Sequence, residues 1–173
     1  MLGFWFALTP EQHFAVSAKL DAEIATRFGT WRDAVLQTGA RGWRDDPDTL
    51  LAAILLLDQF SRNIHRGRAE AFAADPLALE LAQDAIGRGW DKTLPPERRL
   101  FVYLPLEHAE DGAMQALSVA RIATLGNAEW LDYARKHAEV IARFGRFPSR
   151  NQALGRAATP EEEAFLSQPG AGW

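Results

Sequence analysis

Apolar residues recur every three or four positions along most of the chain. Nowhere do they alternate with period two over a useful length, so the pattern predicts helices alone. Thr9, Pro10 and Gln12 form a capping box. They open a first stripe of Phe14, Leu20, Ile24 and Phe28, which Gly29 closes. Thr30 with Asp33 predicts a short second helix that stops near Gly39. A loop holding Trp43 follows, and Asp46 caps a third helix begun by Pro47 and ending between Asn63 and Gly67. Asp75-Pro76 starts a fourth helix, closed by Gly87 and Gly89. Pro95-Pro96 opens a fifth with Leu100, Phe101 and Leu104 as its apolar side, and Pro105 predicts a kink or a fresh start. Glu107 to Leu125 then continues helical, with Met114, Leu117 and Ile122 apolar. After a turn at Gly126-Asn127, Trp130, Tyr133, Ala134, His137, Ile141 and Phe144 line a long helix that ends at Gly145. A second capping box, Thr159 to Glu162, starts a terminal helix reaching Leu166, and Phe4, Trp5 and Phe6 pack back from the N-terminus. The expected fold is all-α in one domain, with about eight helices in antiparallel pairs joined by short loops.

One stretch breaks the pattern. The run Leu55 to Asn63 reads LLLDQFSRN, apolar straight into Asp58, Gln59, Arg62 and Asn63. On a helix Leu51, Ile54, Leu55, Asp58 and Arg62 share one face. A carboxylate and a guanidinium therefore sit where a core stripe should continue, and buried charges demand partners.

Composition narrows the function classes. The 173 residues are 47% hydrophobic and 24% charged, ordinary for a globular protein. A net charge of −4 argues against a general nucleic-acid binder. With no cysteine, disulfides, thiol nucleophiles and cysteine-zinc sites are excluded together. The N-terminal MLGFWFALTP lacks a basic leader and a small-residue cleavage site, and no apolar run reaches the roughly 20 residues that span a bilayer, so a cytoplasmic protein is expected.

Four further groups can carry chemistry. Glu107, His108, Glu110 and Asp111 crowd one segment, with His108 continuing the apolar line of Leu104. No HExxH occurs and no histidine has a Glu three residues before it, so no metal and no cofactor are expected. His137 interrupts an apolar stripe; it reads as a satisfied core residue, or as a general base if Glu107 or Asp58 reaches it. The segment RFGRFPSRNQALGR carries Arg143, Arg146, Arg150 and Arg156 around Asn151, without an acid. Those guanidiniums must find anions elsewhere, in Asp58 or Glu107 or in a bound phosphate or carboxylate. Asp58 is expected to engage Arg146 or Arg150, because a buried carboxylate needs more donors than Arg62 alone supplies. There is no GxSxG, and the glycine spacings complete no nucleotide-binding signature.

Taken together, FWF at Phe4, LLLDQFSRNIHRG at Leu55, AFAADPLAL at Ala71, FVYLPLEHAED at Phe101 and RFGRFPSRNQALGR at Arg143 resemble the bacterial family known as domain of unknown function 924, over nearly the whole chain. The resemblance implies a right-handed α-superhelix of the tetratricopeptide-like class and no activity. Ser61 stands where the family usually has proline, and Ser149 where it often has histidine.

Three functional readings follow. The first is a helical binding module for a small anionic ligand or an acidic peptide. Its candidate residues are Asp58, Gln59, Arg62, Asn63, Glu107, His108, His137, Arg143, Arg146, Arg150, Asn151 and Arg156. The second is a metal-independent acid–base enzyme using Asp58, Glu107, His108 or His137. The third is a structural or oligomerisation scaffold whose polar groups satisfy one another.

Overall fold

The computed structural model describes residues 1–168, and the all-helical class expected from the 3.6-residue period is there: nine α-helices and no strand among the described residues. We label them α1 (Leu2–Trp5), α2 (Pro10–Phe14), α3 (Ala18–Gln37), α4 (47–64), α5 (Asp75–Gly87), α6 (Pro96–Glu107), α7 (Gly112–Ala123), α8 (Ala128–Phe144) and α9 (Pro160–Leu166). No described helix is long and apolar enough to cross a membrane. The chain divides into two compact units, Met1–Arg66 with Glu70–Pro105, and Gly67–Ala69 with the residues from Leu106 on.

In the first unit α4 is the central element. Every residue from Leu50 to Phe60 is buried, as expected of a helix enclosed on all sides. Its regular turns stop at Leu55, and Leu56–Phe60 form a wider π-helical turn before α-helix resumes at Ser61. Phe60 meets Trp5 (5.3 Å between ring centroids) and Phe28 of α3 (5.2 Å), and Trp5 also meets Phe101 of α6 (5.6 Å). Asp46 accepts from the N–H groups of Asp48 and Thr49, the cap expected before Pro47.

Three helix boundaries differ from expectation. The first predicted helix is two: α2 stops at Phe14, whose ring is 57% exposed, and Ser17 caps α3. α3 then runs through Gly29 and Thr30 without a break. A glycine inside a helix costs only about 1 kcal/mol, and the buried face of Ile24, Phe28, Arg32 and Val35 outweighs it. The break expected at Pro105 comes later. Pro105 sits in the last turn of α6, the helix ends at Glu107, and Asp111 caps α7 through the N–H of Met114.

In the second unit α7 and α8 pack as an antiparallel hairpin across residues 124–127, with Asn127 capping α8. Gly145 ends α8 in the left-handed conformation (φ 69°), which favours glycine. Val140 and Ile141 of α8 pack with Phe147, and Phe144 and Phe165 of α9 close that cluster. Tyr133, expected on the inward stripe of α8, is exposed instead.

Candidate functional site

In the first unit the wide turn of α4 sets Asp58 and Gln59 side by side, with Arg62 one turn on. Gln59 Nε2 donates to Asp58 Oδ2 (2.6 Å), and Arg62 Nη1 lies 3.0 Å from Asp58 Oδ1. Arg62 also forks onto both carboxylate oxygens of Asp75, at 2.9 and 3.0 Å, from the first turn of α5. Burial opposes the Arg62 charge, but Asp58 and Asp75 more than offset it and its pKa is raised. Asp58 is 1% exposed, as its place on the apolar stripe predicts, and Arg62 is half-buried. Asn63 donates to Asp21 of α3 (2.7 Å), which Arg66 also grips with two hydrogen bonds of 2.8 Å. Burial alone pushes the Asp21 carboxyl up; Arg66 and Asn63 outweigh it and hold it below the usual range.

The second unit brings Glu107, at the end of α6, onto His137 of α8. Glu107 Oε1 lies 3.3 Å from His137 Nδ1, and both side chains are buried. The same nitrogen lies 2.9 Å from the Tyr133 carbonyl. Two acceptors on one nitrogen require that Nδ1 carry hydrogen, which fixes the tautomer of the neutral ring. The half-buried His108 ring stands 6.2 Å from that of His137, and Phe147 packs edge-on against His137 at 5.6 Å.

The arginine-rich segment finds its anions largely within the unit. Arg156 forks onto Glu110 at 2.7 and 3.0 Å, and Glu110 also accepts from the Phe147 N–H (2.7 Å). Burial raises the Glu110 pKa; Arg156 and that N–H bring it below its ordinary value. Arg146 forks onto Glu162 of α9 at 2.6 and 2.8 Å, and buried Asn151 donates to the same carboxylate (3.2 Å). Arg146, the Thr159 N–H and Asn151 together hold Glu162 down to about 2. Arg143 pairs with Glu161 at the surface. Arg150 donates to the His108 carbonyl (2.9 Å) and lies over the Phe147 ring (4.5 Å).

Sequence reasoning missed the partners Asp21, Asp75 and Glu162, and two inward polar residues of α7, Gln115 and Ser118. With Ile122 those two carry a helical spacing, the signal that was available; Met114 and Leu117, chosen for being apolar, are half-buried. Among the described residues no three His, Asp or Glu side chains converge as a metal site.

These features define an all-helical protein with a buried carboxylate–imidazole pair in one unit and a carboxylate–guanidinium network around buried Asp58 in the other. The family profile described as "Bacterial protein of unknown function (DUF924)" matches residues 1–170, and the chain belongs to that family. It is similar to a solved structure titled "Structure of Protein of Unknown Function ATU0120 from Agrobacterium tumefaciens": 39% identity, TM-score 0.92, covering 96% of this chain and 94% of that one. No curated protein shows a significant match.

Proposed function

We propose that the protein is a cytoplasmic acid–base enzyme whose proton-transferring pair is Glu107–His137, with His108 linking it toward solvent. The single observation that supports this reading is the 3.3 Å approach of Glu107 Oε1 to His137 Nδ1 between two buried side chains. A carboxylate on Nδ1 orients the ring and favours the imidazolium, the support a histidine base needs. The ring separation of His108 and His137 is one that a single bridging water spans. The test is ¹⁵N NMR of the histidine side chains across pH, with Glu107→Gln as control, followed by a screen of hydrolytic, isomerising and eliminating reactions. His137 titrating as the Nδ1–H tautomer, with a midpoint displaced by Glu107→Gln, is expected. A ring that stays in one state from pH 4 to 9, in the wild type and the variant alike, defeats the reading.

A second reading, a binding module for a small anionic ligand or acidic peptide, is favoured by one feature. A groove of about 470 Å³ runs along Pro148, Ser149, Asn151, Gln152, Arg156 and Leu166. That is the size range of small-ligand sites. Against it, Arg143, Arg146 and Arg156 already hold carboxylates. Thermal shift against phosphates, nucleotides and dicarboxylates tests it. No shift with any of them, and an unchanged profile for Arg150→Ala, leaves the scaffold reading in its place.

A further inference from the structure

Side chains from later in the second unit hold the backbone around Glu107. Gln115 Nε2 donates to the Glu107 carbonyl (2.6 Å) and to the Ala109 carbonyl (2.7 Å). Arg150 takes the carbonyl between them, that of His108. Both Nε2 hydrogens of Gln115 are thereby in use. The amide cannot flip, because a flipped amide sets Oε1 against two carbonyl oxygens.

Gln115 Oε1 is therefore an acceptor of fixed direction, and it is buried without a donor. Ser118 Oγ, one turn further along the same face of α7, is buried and also without a partner. In the first unit Trp5 Nε1 and Asp84 Oδ2 share that condition, but they lie on separate elements. Here two orphaned oxygens lie one turn apart on the buried face of a single helix. In the α7–α8 hairpin Gln115 lies about as far before the turn as His137 lies after it. Glu107 ties the two residues directly, its carbonyl bound to Gln115 and its carboxylate against His137.

Buried polar oxygens are satisfied in native proteins by the fold, by ordered solvent or by a ligand. The chemistry that fits this pair is a hydroxyl. A bound O–H donates to Gln115 Oε1 while its oxygen accepts from the Ser118 hydroxyl. We infer that Gln115 Oε1 and Ser118 Oγ form a hydroxyl-binding subsite beside the Glu107–His137 pair, which takes an O–H group of water or of a small alcohol-bearing ligand. The subsite rests on the acid–base reading for its role in chemistry and not for its existence.

High-resolution crystals of the wild type, unsoaked and soaked in ethylene glycol, test it, with Ser118→Ala as the paired variant. An oxygen within hydrogen-bond reach of both Oε1 and Oγ is expected in the wild type and not in Ser118→Ala. A single-atom peak that survives the soak assigns the oxygen to water; its replacement by glycol assigns the subsite to a ligand hydroxyl. No oxygen there in either wild-type crystal overturns the inference. So does a rise in the melting temperature of Ser118→Ala, because deleting a hydroxyl that was merely buried and unpaired relieves the fold. A fall is expected. The two ideas fail separately. A bound oxygen beside a His137 that does not titrate defeats the acid–base reading and keeps the subsite. A titrating His137 over an empty subsite does the reverse.

Discussion

Glu107 Oε1 and the Tyr133 carbonyl oxygen both face His137 Nδ1, at 3.3 and 2.9 Å. One comes from the end of α6 and the other from a helical turn before His137 on α8, so two elements converge on one ring nitrogen. Glu107→Gln keeps the shape and removes the charge. We expect it to cost about 1–3 kcal/mol, since a buried hydrogen-bonding partner is impaired. Chemical denaturation of the two proteins measures this; an unchanged midpoint would show that the pair carries no stability.

Asp58 is buried, with Gln59 and Arg62 on its two oxygens. Asp58→Ala should cost about 1–3 kcal/mol, because Gln59 and Arg62 lose a buried acceptor while Arg62 keeps its fork onto Asp75. The sequence-based pairing of Asp58 with Arg146 or Arg150 is tested separately. Arg146 is held by Glu162. A double-mutant cycle on Asp58→Asn and Arg150→Ala should give a coupling above about 0.5 kcal/mol if the pairing exists, and additivity if it does not.

Gly29→Ala should stabilise the protein by about 0.5–1 kcal/mol. The residue is helical and a Cβ there meets nothing within 4 Å. A loss of stability in thermal denaturation would contradict the continuous α3.

Glu162 titrates near 2 in the fold, against an ordinary value of 4.5. The folded form therefore binds its proton later than the unfolded form does. Its contribution is complete above about pH 4.5 and disappears as the pH falls toward 2. Glu162→Gln should lose stability at neutral pH and show a shallower decline in that acid window. Parallel pH profiles of the two proteins would refute the linkage.

His13 bonds the Trp5 carbonyl through Nε2 (2.9 Å) among the rings of Trp5, Phe6, Phe14 and Phe101. Burial lowers its pKa more than that carbonyl raises it. The unfolded imidazole thus takes its proton first. Docking of α1 and α2 should weaken as the pH falls below about 6.5. Amide exchange in residues 2–14 reads this, and His13→Gln should remove the pH step.

Local chemistry was legible in the chain. The two capping boxes, Asp46 before Pro47 and Gly145 after α8 form the ends that their own residues dictate. What was not legible depends on partners far along the chain. Gly29 reads as a stop by propensity, and only the buried face of α3 overrides it. Asp75 starts a helix and also answers Arg62, a double role that no local pattern encodes. Gln115 and Ser118 are polar, so an apolar search passes over them, although they occupy inward positions. The Glu107–His137 contact was one option among several, because sequence spacing says nothing of which carboxylate reaches an imidazole.

The wide turn at Leu56–Phe60 also works as a phase shifter. Successive residues of an α-helix are rotated by about 100°, so one residue absorbed in a π turn swings everything beyond it around the axis by that angle. Ser61 secures the far side: its hydroxyl accepts from Arg32 Nε (2.9 Å) and donates to the Leu56 carbonyl (3.4 Å). Deleting one residue between Leu56 and Phe60 would leave a continuous helix of ordinary composition. It would also turn Arg62 away from Asp75 and Asn63 away from Asp21, and unfasten α4 from α3 and α5 without touching any of the side chains that join them.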